Sequence, residues 1–338
     1  MGRAMCGAGR GTGVVSGMRF MAEGGVPVLE PAVRAFLAEL ARDGGSPLDA
    51  PDLAGARAAL ARLQAVPVEA PTVHAEEIAV PTGPGGVVAV RLLRPVARNG
   101  RPTPFVLYLH GGGWVMGDAQ THDRLMRELA AGSGAVVAHV GYTLAPEAAF
   151  PVQIEQAYAV LCHLAAEAAA HGLDASRIAV AGDCAGGAMA ASVAMLAKRR
   201  RGPELAFQLL LTPILGAPEP QGEAAPWLPA AAVCRYLDAA FPDAASRDRP
   251  IALPLAAAPE DLNDLPPALV ITAEADVLCA QGEAYARRLA AAGVEVAATR
   301  HLGTIHDFMV LNPLARSAAT RGAVAQASAA LRHALYGS

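Results

Sequence analysis

Hydrophobic positions change their period three times along the chain, and each change marks a different kind of element. Between Val26 and Val66 the pattern is helical. Val33, Phe36, Leu37 and Leu40 recur at i, i+3, i+4 and i+7, the break Gly44-Gly45-Ser46-Pro47 follows, and a second helix is predicted over Leu53–Leu63. Two β-branched runs come next, Glu76–Val80 and Val87–Leu93, separated by Pro81-Thr82-Gly83-Pro84-Gly85-Gly86. Turn residues between two alternating runs predict an antiparallel hairpin.

From Phe105 onward, short apolar runs alternate with helical stretches. The predicted strands are Phe105–Leu109, Ala135–Val140, Ile178–Ala181, Gln208–Leu211, Leu269–Thr272 and Val294–Thr299. The predicted helices are Asp123–Ala131, Gln153–His171, Ala185–Lys198, Gly282–Ala292 and Ala315–Leu335. Near-continuous apolar strands are buried on both faces, so the alternation predicts an α/β fold: a mainly parallel sheet of about eight strands with helices on both sides. Gly216–Arg249 interrupts this rhythm with prolines, Trp227 and a short helix over Ala230–Phe241. The expected division is a disordered extension at 1–25, paired helices at 26–75, a core at 76–215 and 250–338, and an insertion at 216–249 that acts as a lid.

Composition narrows the function classes. The 338 residues are 53% hydrophobic with a formal net charge of −4, enough to bury a large core. No apolar run reaches the roughly 20 residues needed to span a bilayer. The one basic run, Lys198–Arg201, reads as a helix C-terminus and not as a phosphate-binding stripe, so neither a membrane span nor a nucleic-acid partner is expected. Five scattered cysteines lack CxxC spacing, which predicts no disulfide framework and no metal site and suits a reducing cytoplasm. Residues Met1–Gly25 lack the apolar core of a signal peptide, and Met18 or Met21 would serve as a later start.

The chemistry concentrates in three segments. Ile178–Gly187 reads strand, Gly182-Asp183-Cys184-Ala185-Gly186 turn, helix. Such a nucleophile elbow holds its central residue on a strained turn at the top of a sheet, and small neighbours let strand and helix approach. Cys184 would face a helix N-terminus, an environment expected to lower its pKa toward the thiolate. His110-Gly111-Gly112-Gly113-Trp114 follows the Phe105–Leu109 strand, so bare backbone N–H groups of Gly111 and Gly112 would join that of Ala185 as an oxyanion hole. Asp276 lies beyond the Leu269–Thr272 strand, and His306 follows the last one in Gly303–Phe308. The order nucleophile, acid, histidine is that of the α/β-hydrolase triad.

Each assignment has a plainer competitor. Cys6, Cys162, Cys234 and Cys279 read as small hydrophobes, and His110 as an anchor of the glycine loop. Glu274 and Asp307 compete with Asp276, and Asp183 would only fix the turn. Trp114 and Phe308 are candidate substrate contacts, balanced between pocket wall and core.

Taken together, these blocks resemble the hormone-sensitive-lipase family of α/β-hydrolases, the bacterial esterase branch that also resembles plant carboxylesterases. The resemblance runs from about Pro104 to Leu311. It rests on His110–Trp114, Tyr142–Glu147, Gly182–Gly187, Leu265–Leu269, Asp276–Leu278, Gly282–Ala286 and the His306 segment. It implies a helical cap, formed by the N-terminal helices and the 216–249 insertion, over a pocket for a small acyl substrate, with no cofactor. Three positions depart from the family pattern: Cys184 replaces the nucleophilic serine, Thr143 the arginine of the Tyr-Arg-Leu-Ala-Pro-Glu block, and Ala188 a polar residue.

The leading expectation is acyl chemistry on an ester, lactone or thioester through Cys184, His306 and Asp276, ending in hydrolysis or acyl transfer. A non-hydrolytic, dehydratase-like enzyme and a ligand-binding protein with a degenerate site stand beside it, as does an engineered Ser-to-Cys exchange. A homodimer through the exposed sheet edge or the last helix would suit the fold.

Overall fold

A computed structural model describes residues 27–43, 45–46, 48, 52–96, 101–218 and 225–337. The expected extension at 1–25 lies outside the described residues, with Cys6 and both alternative starts, as do residues 219–224 of the insertion.

Eight strands form one sheet: β1 (Val73–Pro81), β2 (Val87–Pro95), β3 (Thr103–Leu109), β4 (Val136–Val140), β5 (Leu173–Asp183), β6 (Phe207–Leu211), β7 (Ala268–Ala275) and β8 (Val296–Ile305). Their order is β1-β2-β4-β3-β5-β6-β7-β8. The hairpin pairs antiparallel from Val73↔Pro95 to Pro81↔Val87, and β2 also runs antiparallel to β4. All later pairs are parallel. In β4 and β6 every residue is buried, as unbroken apolar runs require when helices cover both faces. The outer strand β1 carries exposed Glu76 and Glu77, charges that discourage pairing with another edge.

Nine helices accompany the sheet among the described residues: α1 (Pro31–Arg42), α2 (Leu53–Gln64), α3 (Asp123–Ser133), α4 (Val152–Ala166), α5 (Cys184–Arg200), α6 (Ala230–Ala240), α7 (Pro259–Leu262), α8 (Cys279–Ala291) and α9 (Ala318–Tyr336). Most element ends shift by one to five residues from expectation, β5 starting five residues early at Leu173 and α9 three late at Ala318, and two of the shifts have a plain cause. Helix α4 stops at Ala166, five residues early, because the chain turns back there: Leu173 N–H donates to Ala168 O and Gly172 takes φ 60°. Strand β8 starts two residues late and extends to Ile305, pairing with β7 through a register shift between Ala273 and Ala275. Its added stretch, Arg300–Ile305, mixes charged, polar and glycine residues with Leu302 71% exposed, so it carries no apolar run of the kind that marks a buried strand.

The N-terminal helices are tied to loops that matter below. The Asp52 side chain accepts from Gly55 N–H and caps α2. Further along α2, Arg57 donates to Val115 O and forms a bidentate pair with Glu147. Gln64 donates to Thr121 O and Val310 O. Helix α6 lies against the glycine loop, where a Cβ on Gly113 would overlap the Tyr236 ring. Phe36 of α1 meets Trp227 at 5.5 Å, and Arg235 of α6 donates to Leu48 O, joining the two flanking segments.

Candidate active site

The turn from β5 into α5 forms because two glycines permit it. Side chains at Gly182 and Gly186 would collide with the Gly186 carbonyl and the Leu109 carbonyl, respectively, so strand, glycine loop and helix meet only if both positions lack a Cβ. Between them Cys184 adopts φ 51°, in the left-handed region. A non-glycine residue there carries strain of the order of 1–3 kcal/mol, held by its surroundings. The glycine loop runs alongside, and a Cβ on Gly111 would lie 2.9 Å from Cys184 Cβ. Gly112 has φ 99°, and its carbonyl accepts from Val115 and Met116 N–H, which closes the loop. Ala185, fully buried, follows Cys184 as the second residue of α5.

His306 and Asp276 reach this turn from the ends of β8 and β7. His306 Nδ1 is 2.8 Å from Asp276 Oδ2, and Asp276 Oδ1 accepts from Leu278 N–H at 2.9 Å. Asp307 comes in from the other side, with φ 59° and its Oδ1 3.3 Å from His306 Nε2. Neither of these two atoms makes an aligned hydrogen bond. Cys184 Sγ, a His306 ring nitrogen and an Asp307 oxygen all lie within 4.8 Å of one another. Among the described residues, this is the set whose His, Cys and carboxylate atoms converge as metal ligands would.

The charges are strongly coupled. Burial opposes protonation of His306, but Asp276 and Asp307 outweigh it and hold the imidazole well above its usual pKa. Burial pushes the Asp307 carboxyl up to about 6 against the pull of His306. Burial also pushes the Cys184 thiol up, and His306 only partly offsets this. The sequence-based expectation of a thiol lowered by the helix end is therefore corrected: at 4% exposure, loss of hydration is the larger effect.

Behind the elbow lies a buried polar cluster in which Asp183, His110 and Tyr142, from the motif segments, meet Tyr108, His122 and His139, which no motif marks. Asp183 accepts from Tyr108 Oη at 2.5 Å and faces His122 Nε2 at 3.2 Å. Burial would raise the Asp183 pKa, but His122 outweighs it and the carboxyl is lowered; Asp183 in turn raises His122 against burial. His110 stacks on Tyr142 with ring centroids 4.3 Å apart and on His139 at 5.2 Å. Burial, aided by His122, lowers its pKa to about 4, so at neutral pH the ring is an uncharged anchor of the glycine loop. Asp183 thus does more than fix a turn: it is the anionic centre of the support under Cys184. Its adjacency to the cysteine was the one available signal, since His122 is distant in sequence.

Of the remaining sequence candidates, the two aromatic rings are buried. Trp114, φ 64°, sets its ring edge-on to Phe241 at 5.0 Å. Phe308 packs on His301 at 5.4 Å, and its carbonyl accepts from Thr320. Thr143, in the departing block, exchanges hydrogen bonds with Gln156. Glu274 accepts from Gly303 N–H. Cys162, Cys184, Cys234 and Cys279 are not joined in disulfides.

The family model described as the α/β hydrolase fold matches residues 106–310. Carboxylesterase NlhH of Mycobacterium tuberculosis is 40% identical over 252 residues, 72% of this chain and 76% of that protein. An ethyl acetate hydrolase of Pseudomonas putida is 34% identical over 249 residues, 72% and 78% of the two chains. Among solved structures, a thermostable esterase from Pseudomonas putida superposes with a TM-score of 0.87 at 41% identity, covering 92% of this chain and 99% of that one. A hyperthermophilic esterase from Pyrobaculum calidifontis gives 0.80 at 35% identity, covering 90% and 98%. The esterase relatives are serine enzymes. The chain belongs to the α/β-hydrolase family, in its hormone-sensitive-lipase-like branch.

Proposed function

We propose that the protein is a carboxylic-ester hydrolase that forms an acyl-enzyme on Cys184. The observation that carries this reading is the convergence of Cys184, on a strained strand-to-helix turn, with a histidine whose Nδ1 is held by Asp276 at 2.8 Å. Esterase relatives covering most of the chain support the same substrate class.

His306 Nε2 takes the thiol proton as Sγ attacks the ester carbonyl and the carbon–sulfur bond forms. The N–H groups of Gly111, Gly112 and Ala185 would bind the oxyanion. Collapse breaks the carbon–oxygen bond, and His306 returns its proton to the leaving alcohol. Water, deprotonated by His306, then cleaves the thioester and frees the acid and the thiol. Asp276 fixes the tautomer and stabilises the imidazolium without itself taking the proton. Because a thiolate leaves more readily than an alkoxide, the tetrahedral species tends to revert to substrate. The site therefore favours esters with good leaving groups, lactones or thioesters, and a bound alcohol or amine in place of water would give transfer.

Helices α1 and α2 and the 225–249 segment form the proposed cap, supported by the contacts of Tyr236 with Gly113 and of Phe36 with Trp227. Trp114, next to the oxyanion glycines, is the proposed wall of the acyl site. Phe308 is the weaker substrate contact, since His301 already occupies its ring. A thiol nucleophile is best kept in the reducing cytoplasm. The described residues contain no helix long and apolar enough to cross a membrane.

The test compares p-nitrophenyl acetate turnover by wild type, Cys184→Ala and Cys184→Ser. Loss of turnover in the alanine variant with retention or gain in the serine variant is expected. Undiminished turnover in Cys184→Ala contradicts the reading.

A further inference from the structure

Two buried polar atoms at the heart of the site lie 3.3 Å apart without an aligned hydrogen bond: His306 Nε2 and Asp307 Oδ1. Their opposite charges offset part of the cost of burial, but each is left without the hydrogen bond that buried polar atoms normally have, and a bound ion is one way of supplying a partner. With the Cys184 sulfur they complete a triangle of imidazole, carboxylate and thiol donors, every pair within 4.8 Å.

From this triangle we infer a binding site for Zn2+, with Cys184 Sγ, His306 Nε2 and Asp307 Oδ1 as ligands. Zinc takes nitrogen and oxygen ligands at about 2.0 Å and thiolate at about 2.3 Å in a tetrahedron. Nitrogen and oxygen on one zinc ion are then about 3.3 Å apart, and nitrogen and sulfur about 3.5 Å. The first separation matches the observed 3.3 Å, and the second falls within the 4.8 Å that bounds every pair of the triangle.

The outer shell also fits. A zinc-bound histidine commonly donates its other N–H to a carboxylate, which fixes the tautomer and makes the metal-facing nitrogen a better donor. His306 Nδ1 has that partner in Asp276, itself held by Leu278 N–H. Three protein ligands leave the fourth position of the ion for water or for a ligand carboxylate.

The sequence shows no metal spacing because the ligands come from two distant segments, the β5–α5 turn and the residues after β8. The exchange of serine for cysteine makes the difference, since a thiolate binds zinc far better than a hydroxyl. On binding, the thiol proton leaves to solvent, and His306 Nε2 is no longer free to accept one. The metal and the proton relay therefore exclude each other, which makes zinc a reversible inhibitor. Inhibition rests on the function proposed above, but binding does not.

Isothermal titration of chelator-treated full-length protein with ZnCl2 tests the site, with thermal melts to show that each variant is folded. Wild type is expected to bind one equivalent. Loss of an outer-shell partner typically costs a metal site roughly 10–100-fold in affinity, and loss of a direct ligand should cost at least that. Asp307→Asn and Asp307→Gly should therefore weaken binding by about tenfold or more, and Cys184→Ala should abolish it. Glycine suits the φ of 59°, so that variant keeps the test valid if asparagine disturbs the fold. With Co2+ as probe, wild type should show a sulfur-to-metal charge-transfer band that is missing in Cys184→Ser. Absence of binding, or equal affinity in wild type and either Cys184→Ala or both Asp307 variants, overturns the proposal. Zinc binding in a protein that turns over no ester would leave this site standing while refuting the esterase reading.

Discussion

Asp307 lies 3.3 Å from His306 Nε2, the ring nitrogen left free by the Asp276 hydrogen bond. The imidazole thus has a carboxylate on each side, which raises its affinity for the thiol proton and moves upward the pH above which it is free to accept one.

Removing the second carboxylate should release the base. Asp307→Asn lowers the His306 pKa, because one of the charges holding it up is gone. The acidic limb of the kcat/KM profile should move to lower pH, whereas an unchanged limb would mean that Asp307 does not act on His306. The same variant has a stability signature. The folded-state pKa of Asp307 is raised to about 6 from an ordinary 3.8, so its contribution is full below pH ~4 and declines as pH rises through ~6. Asp307→Asn should therefore gain on the order of 1–3 kcal/mol relative to wild type between pH 4 and 8, read as a pH-dependent difference in chemical denaturation.

Asp276→Asn should leave the fold intact and damage catalysis. Its side chain holds His306 Nδ1 and keeps Nε2 as the acceptor. Replacing the acid of a Ser-His-Asp triad by its amide costs about 10⁴-fold in kcat in the serine-protease case used to teach this mechanism. Here a loss of roughly 10²–10⁴-fold in kcat/KM is expected, measured with p-nitrophenyl esters. A loss below about tenfold would point to another orienting carboxylate.

Much of this architecture was legible in the sequence, for identifiable reasons. Strands β3, β4 and β6 were readable because burial on both faces leaves a continuous apolar signature. Cys184, Asp276 and His306 could be singled out as candidates because each follows a strand in a recognisable local frame, and the structure places His306 Nδ1 2.8 Å from Asp276 Oδ2. The second half of β8 was missed because Arg300, His301 and Gly303 interrupt its apolar pattern, although Gly303, Thr304 and Ile305 are buried. Asp307 read as one of several loop charges, since only its left-handed backbone turns its carboxylate toward His306. The raised thiol pKa was missed because helix polarity is visible in sequence and depth of burial is not. Contacts among Tyr108, His122 and Asp183 join three segments, and their spacing in the chain carries no trace of that meeting.

The Asp183 cluster should set stability in acid. Its folded-state pKa lies below the ordinary 3.8, so its contribution is present above pH ~4 and is lost as pH falls through the lowered value. Asp183→Asn leaves His122 and Tyr108 without their buried anion and should cost about 3–5 kcal/mol at pH 7, the usual cost of breaking a buried pair. The difference from wild type should shrink below pH 4, and denaturant titrations at pH 7 and pH 3.5 check both statements.

Gly186→Ala should act through the elbow and not through chemistry. The added methyl would overlap the Leu109 carbonyl, which is backbone and cannot swing aside. A loss of at least about 1–3 kcal/mol is expected, visible as a lower melting temperature. Gly322→Ala in α9, where no atom lies within 4 Å of an added Cβ, serves as the control and should be neutral or stabilising.

The central claim is that Cys184 carries the acyl group. Intact-mass spectrometry of the protein, quenched in acid within seconds of mixing with p-nitrophenyl butyrate, tests it most directly. The account predicts a butyryl adduct that maps to Cys184, decays on further incubation and is missing in Cys184→Ala. Ester turnover with no adduct at Cys184, or an equal adduct in the alanine variant, would contradict it.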